Sequence, residues 1–354
     1  MAAHGGEEVQ QMGSRATLSE VAARAGVSKA TASKVLNGRP GVAEATRKAV
    51  RDAIAALDYV PTTGPRESPA PQTIHVVFDT LLNMYAVYVL DGIISGGREL
   101  GVEVVTSSLE AETPGYNDPI GVDRIKAIAA QGAAGLVLVT AQLTSAERDM
   151  CEQLGLPLVV VDPANPLDER VTSLGATNWA GGVQATRHLL DLGHTRIGFA
   201  GGPPGSLPAR ERLHGYREAL ESAGIDVDPA LTGSGTFYAE TGAVLTERML
   251  DLDDPPTAVF AASDSIAVGV IRTARKRGLD VPGDLSVVGF DDTYNAMWVE
   301  PPLTTVQQPL RQMGRVAART VLDLAAGKVP DSHHVQLATT LVVRESTAPP
   351  RRKR

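Results

Sequence analysis

Side chains that could do covalent or acid–base chemistry are sparse in this 354-residue chain. Cys151 is its only cysteine, which leaves no intrachain disulfide and no cysteine-ligated zinc. Beside Met150 and Leu154 it reads as a small hydrophobe in a helix. His333-His334 has no third ligand near it in sequence and reads as an exposed loop. His194, in LGHTRI, reads as a helix-end residue satisfying local backbone groups. Gly201-Gly202-Pro203-Pro204-Gly205 follows a strand, yet it lacks the Lys-Ser/Thr of a phosphate loop and its prolines remove donor N–H groups. It reads as a loop lining a cleft. Asp291-Asp292 fits a pair of working acids and a solvated turn equally well. No nucleophile–base pair stands out, so an enzyme acting on sugars or nucleotides finds no support, and neither a metal nor a cofactor is expected.

One stretch does carry a chemical pattern: TLSEVAARAGVSKATASKVLN, residues 17–37. Thr17-Leu18-Ser19-Glu20 is a capping box. Leu18, Val21, Ala22 and Ala25 recur at helical spacing on one apolar face. Gly26 suits the left-handed residue that ends a helix, and Ser28 can cap the next. In that second helix Ala32, Val35 and Leu36 form the inner side. Lys29, Ala30, Ser33, Lys34 and Asn37 share the outer one, a small, polar, basic surface of the kind that meets base edges and phosphates in a DNA major groove.

The elements that must position this face follow in order. Residues 1–14 are polar and Gly-rich and are expected to be disordered. A three-helix DNA-binding domain spans 15–61, its third helix near 44–57 contributing Val50, Ala53, Ile54 and Leu57. Residues 62–72, TTGPRESPAPQ, form a linker without apolar periodicity. From Ile74 onward short β-branched runs alternate with amphipathic helices, which means parallel sheets covered by helices. Strands are expected at 74–78, 102–106, 135–139, 158–161, 196–200, 258–261, 285–290, 304–308 and 335–343. The body, 73–346, is too long for one sheet and reads as two α/β lobes with a ligand cleft at strand C-terminal ends. A basic tail, 347–354, is expected to fray.

Charge divides the same way. Between Arg15 and Glu67 lie nine basic and five acidic residues, against −8 for the whole chain, so the body is strongly acidic. A basic head on an acidic body suits site-specific binding of double-stranded DNA by the head alone. No apolar run reaches the ~20 residues of a membrane span, and no secretory signal precedes the head, so a cytoplasmic protein is expected.

The head, TLSEVAARAGVSKATASKVLNGRPGV ending in LDYVP, resembles that of the lac-repressor (LacI/GalR) family of bacterial transcriptional regulators. LLDLGHTRIGFAGGP, RERLHGYREAL, PTAVFAASDSIAVGVIRTARKRGLDVPGDLSVVGFDD and PPLTTVQQPLRQMGRVAA are similar to that family's body, in its order. The resemblance implies an all-α helix-turn-helix head and an α/β body of two doubly wound, periplasmic-binding-protein-like lobes. It also implies a homodimer on a palindromic operator, with affinity set by a small-molecule effector in the cleft. Lys29, Ala30 and Lys34 match positions that read bases; Thr17, Ser28, Thr31, Ser33 and Asn37 match those that hold phosphates or start the helix. Where the family often has Arg, Lys34 offers a point charge rather than a fork.

In the cleft the resemblance assigns ligand contact to Arg212, which can fork onto hydroxyls or a carboxylate, and to Asp162, Asp264 and Asp291. It also places Tyr85, Asn178, Trp179 and Trp298 there, the last as a stacking platform for a pyranose. A sugar is the effector these side chains imply; a purine is the alternative within the family, and a transport solute-binding protein the alternative outside it. Two departures stand out. The linker lacks the leucine and the unbroken helix with which the family wedges operator DNA, so no hinge helix is expected at 62–72. Ala43 sits where a serine often caps the third helix, which weakens that cap.

Overall fold

The computed structural model describes residues 16–36, 41–57, 59, 72–109 and 119–351. Contacts divide the chain into two units, Met1–Ala70 and Pro71–Arg354. Asn37, residues 1–14, linker residues 62–71 and the final 352–354 lie outside the described part.

The first unit holds helices α1 (Leu18–Arg24), α2 (Lys29–Leu36) and α3 (Glu44–Ala56). The Thr17 side chain accepts from the Glu20 N–H while the Glu20 carboxylate accepts from the Thr17 N–H, the reciprocal capping box. Gly26 takes φ +64° in the turn, and the Ser28 hydroxyl accepts the Thr31 N–H at 3.1 Å to start α2. Ala43 makes no side-chain cap to α3. Val21, Ala22, Ala32, Val50 and Ala53 form the buried centre, with Leu18, Val35, Ile54 and Leu57 packed around it. Leu36 is only half-buried.

The second unit begins with lobe 1: β1 (Thr73–Phe78), α4 (Met84–Leu100), β2 (Glu103–Ser108), α5 (Val122–Ala130), β3 (Gly135–Val139), α6 (Ser145–Leu154), β4 (Leu158–Val161) and β5 (Thr172–Ala176). The chain then enters lobe 2: α7 (Asn178–Asp191), β6 (Ile197–Gly201), α8 (Leu207–Ser222), β7 (Thr232–Ser234), α9 (Ala239–Leu250), β8 (Ala258–Ala261), α10 (Asp264–Lys276), β9 (Ser286–Asp291), α11 (Tyr294–Trp298) and β10 (Thr304–Gln307). Helix α12 (Leu310–Ala325) returns to pack on α4, β11 (His334–Leu337) joins lobe 1, and β12 (Thr340–Val342) joins lobe 2. The sheets run β11-β5-β4-β3-β1-β2 and β12-β10-β9-β8-β6-β7, so both lobes wind five parallel strands in one order and add a sixth at the edge. Every pairing is parallel except β10 with β12. Central strands such as Gly135–Val139 are buried along their whole length, because helices cover both faces of a parallel sheet.

Several expectations need correction. The run 335–343 is two strands in two sheets, because the chain changes lobe between Leu337 and Thr340. Strands β5 and β7 and helix α11 were not foreseen: TSLGA and TGS lack an apolar run, and α11 is a single turn. The basic tail is held as far as Arg351, whose guanidinium pairs with Asp284 at 2.5 Å. His194 serves no local backbone: buried, it meets the Thr257 hydroxyl at 2.8 Å and the Ala348 carbonyl at 2.9 Å. The two histidines at 333–334 lead into β11, facing the Thr172 and Ser173 hydroxyls. Cys151 is buried in α6, with its thiol pushed up to about 12 by desolvation.

Candidate functional site

In the head, Lys29, Ala30 and Lys34 stand exposed on one side of α2, opposite the buried Ala32. Ser33 is half-buried beside them. Three of the expected phosphate-side residues already have structural work: Thr17 caps α1, and Ser28 caps α2 with its hydroxyl 2.8 Å from that of Thr31. The outer face is thus a rigid small-residue and lysine surface set by two caps.

In the body, strand C-terminal ends from both lobes converge on a cavity of about 670 Å³, its mouth included. Lobe 1 supplies Asp79 after β1, Tyr85 in the first turn of α4, Thr140 after β3 and Asp162 after β4. Lobe 2 supplies Ser206 and Arg212 from the cap and body of α8, Phe237 before α9, Ser263 and Ser265 at the start of α10, Asp291 at the end of β9, and Thr293. The only non-glycine residues with positive φ among those described lie at these strand ends: Thr140 (53°), Asp162 (45°), Asp291 (113°) and Asp292 (56°). Backbone strain of this kind persists where the surroundings hold it and gathers at ligand sites.

The polar groups are wired within each lobe. The Tyr85 hydroxyl donates to Asp162 at 2.6 Å. Arg212, 3% exposed, donates from Nε to the Asn178 side-chain oxygen at 2.9 Å and from Nη1 to the Ala262 carbonyl at 2.6 Å. It lies 3.6 Å from Asp291 and 3.9 Å above the centre of the Phe290 ring. Gln308 donates to Asp291 at 2.7 Å. Asp79 accepts from the Thr80 N–H and the Thr140 hydroxyl on one oxygen; its other oxygen receives no hydrogen bond among the described residues. Burial raises all three cavity carboxyls: Asp79 to about 6 despite its hydroxyl and N–H donors, Asp291 to about 6 despite Arg212, and Asp162 against the pull of Tyr85.

The structure brings Tyr85, Asp162, Arg212 and Asp291 onto the cavity wall and leaves four expected residues off it. Asn178 lies behind, holding Arg212 and facing a second hollow beside β5 and β11. Asp264 is buried with its oxygens taken by the Thr305 hydroxyl at 2.6 Å and by the N–H and hydroxyl of Thr293 at 2.7 and 3.0 Å; it fastens the β9–α11 turn. Trp179 is half-exposed on α7. Trp298, 82% exposed, stacks on Tyr294 at 5.4 Å outside the lining. The Gly201–Gly205 loop borders another surface hollow instead of the cleft, apart from which the following Ser206 caps α8 at the cavity. Asp79, Thr140, Ser206, Phe237, Ser263 and Thr293 were missed. Asp79 carried a usable signal, an acid directly after a buried strand.

A helix-turn-helix head followed by a two-lobed body around a polar cavity defines a class: ligand-responsive DNA-binding regulators. Residues 17–62 match the model of bacterial regulatory proteins of the lacI family, and residues 186–347 that of a periplasmic binding protein-like domain. The chain is 36% identical over 337 residues to the HTH-type transcriptional regulator CelR of Thermobifida fusca, covering 94% of this chain and 98% of that one. It is 34% identical over 356 residues to the regulator MalR of Streptomyces coelicolor, covering 94% and 96%. Among solved structures, a CelR–cellobiose complex superposes with a TM-score of 0.69 at 34% identity, covering 94% of this chain and all of that one. The lac repressor dimer bound to operator and the anti-inducer ONPF superposes at 0.72 and 30% identity, covering 95% and all. The chain belongs to the lacI family and is a DNA-binding transcriptional regulator. No described helix is long and apolar enough to cross a membrane.

Proposed function

We propose that this chain is a cytoplasmic, homodimeric repressor of carbohydrate-use genes, with a sugar as effector and no enzymatic activity of its own. The observation that carries the reading is the cavity lining: carboxylates, serine and threonine hydroxyls and the Phe237 ring within one space of about 670 Å³. Carboxylates accept paired hydrogen bonds from vicinal hydroxyls, and an aromatic face takes the apolar side of a pyranose. The relative solved with cellobiose supports the same chemistry.

Because both lobes contribute to the wall, a sugar held there favours one lobe arrangement and shifts its population. Two heads on a palindromic operator then change affinity through their spacing. Lys29, Ala30 and Lys34 read bases; Thr17, Ser28, Thr31, Ser33 and Asn37 hold the backbone.

Operator fragments selected from a random DNA library, titrated with protein in the presence of cellobiose, maltose and glucose, test this. A sugar that shifts operator affinity at least tenfold supports the reading; no response to any sugar across a wide panel overturns it. With the selected operator, Lys34→Ala is expected to weaken binding by about 1–3 kcal/mol and to blunt discrimination at one base pair. Unchanged discrimination would remove Lys34 from base reading.

A further inference from the structure

We infer that the cleft is a charge filter, admitting uncharged sugars and excluding phosphorylated or carboxylated ones, with Asp79 as the residue that sets it; this rests on the sugar reading above. Three carboxylates line the cavity, and Arg212 is the only cation among the described lining residues. That cation is already engaged. Its Nε donates to Asn178 and its Nη1 to the Ala262 carbonyl, Asp291 lies 3.6 Å from Nη1, and the Phe290 ring covers one face. The Arg212 charge is set against Asp291, which leaves the lining with more carboxylates than cations.

Asp79 and Asp162 have no cationic partner within the ion-pair distance among the described residues; Asp162 accepts from the Tyr85 hydroxyl and from the Ala176 N–H. The partial positive charge at helix starts does not reverse this. Three of the four helices that begin at the cavity have side-chain caps on their first turns, Asn83 to Ala86 N–H, Ser206 to Ala209 N–H and Ser263 to Ile266 N–H, and the fourth, α11, is a single turn. An incoming phosphate or carboxylate therefore meets two unneutralised carboxylates in a poorly solvated space, whereas a hydroxyl can donate to them. One oxygen of Asp79 and one of Asp291 receive no hydrogen bond among the described residues, and of the two carboxylates only that of Asp79 has no cation beside it.

Calorimetric titration at pH 7.5 of matched pairs tests the filter: cellobiose with cellobionate, maltose with maltobionate, glucose with glucuronate. The neutral member of whichever pair binds is expected to bind at least about 100-fold tighter than its acid, the size set by charge repulsion at close range in a partly buried site. Asp79→Asn should narrow that gap about tenfold, while Asp123→Asn on the exposed start of α5 should leave it unchanged. Acid and neutral members binding within threefold in the wild-type protein overturn the filter alone. An undiminished gap in Asp79→Asn removes Asp79 from it. Silence of every pair overturns the sugar reading, and the filter falls with it.

Discussion

The two lobes repeat one winding order and turn the same ends of their strands toward the cleft, yet they furnish those ends differently. Lobe 1 offers Asp79 and Asp162, each balanced by hydroxyls from Thr140 and Tyr85. Lobe 2 offers Asp291, balanced by a buried guanidinium and the Gln308 amide. Lobe 2 also buries Asp264 beneath the site, its oxygens taken by two threonines. One wall is thus preorganised by charge pairing, which resists rearrangement. The other is held by neutral donors that a ligand hydroxyl can replace. Repetition of a fold duplicates the place where a ligand can sit; the side chains at strand ends decide which half is fixed and which half adapts.

The largest test of that contrast is Arg212→Ala in lobe 2. It strips Asp291 of its cation and Asn178 of its donor in a site almost closed to water. Removing one partner of a buried pair destabilises by about 3 kcal/mol or more, softened here because an Asp291 already raised to about 6 can take up a proton. The body should melt several degrees lower, lose its sugar response and keep operator binding by the head. A variant with an intact sugar response would show that the fixed wall is not needed for binding.

A medium effect comes from the helix pairs behind each wall. In lobe 2, α7 crosses α8 at Gly182, where an added Cβ would stand 2.5 Å from the Arg212 carbonyl oxygen. In lobe 1, α4 crosses α12 at Gly92, where an added Cβ would collide with the Arg311 carbonyl. Alanine at either position should cost about 1–3 kcal/mol by forcing backbones apart. Only Gly182→Ala displaces the residue that carries the guanidinium, so sugar affinity should drop about tenfold in it and stay within twofold in Gly92→Ala. Thermal melts and sugar titrations on both variants read the two quantities separately. Equal affinity losses would mean that both walls are equally coupled to their helix pairs.

How much of this was legible in the chain depends on whether the signal was local. Alternation of buried strands with amphipathic helices was readable because Gly135–Val139 and Leu158–Val161 are unbroken apolar runs and Ile74–Phe78 is broken only by His75. Strand β5 was not, since TSLGA is small; its Gly175 makes room for Asp162, whose oxygen would lie 3.1 Å from an added Cβ. The run 335–343 was read as one strand because nothing local says that the chain changes sheets at residues 338–339. Of the residues that the resemblance assigned to the cleft, Arg212, Asp162, Asp291 and Tyr85 line the cavity, and Arg212 and Asp291 sit within long similar stretches. Trp179 and Trp298, placed there by the same resemblance, stand exposed outside the lining, because similarity of a stretch does not say which way each side chain of its helix faces. Asp264 was read as a ligand group, but an acid opening a helix is equally the anchor that Thr293 and Thr305 make of it.

The smallest effect isolates the adaptable wall through pH. Burial lifts the Asp79 carboxyl from an ordinary 3.8 to about 6. Between those values the folded chain holds a proton that the unfolded chain has released, so this group's contribution to stability declines as pH rises from about 4 to about 6 and is level above. Asp168, held down at about 2 mainly by hydrogen bonds from Arg170, acts in the opposite sense but below pH 4, outside this window. Asp291 contributes a slope of the same sign from the paired wall. Asp79→Asn should therefore remove one share of the decline: relative to wild type, its body gains melting temperature on going from pH 4.5 to pH 7. Parallel melting curves for the two proteins would mean that Asp79 titrates as an ordinary exposed acid. The lobe 1 wall would then be solvated, and the two walls would differ in burial as well as in pairing, so pairing alone would no longer account for the contrast between them.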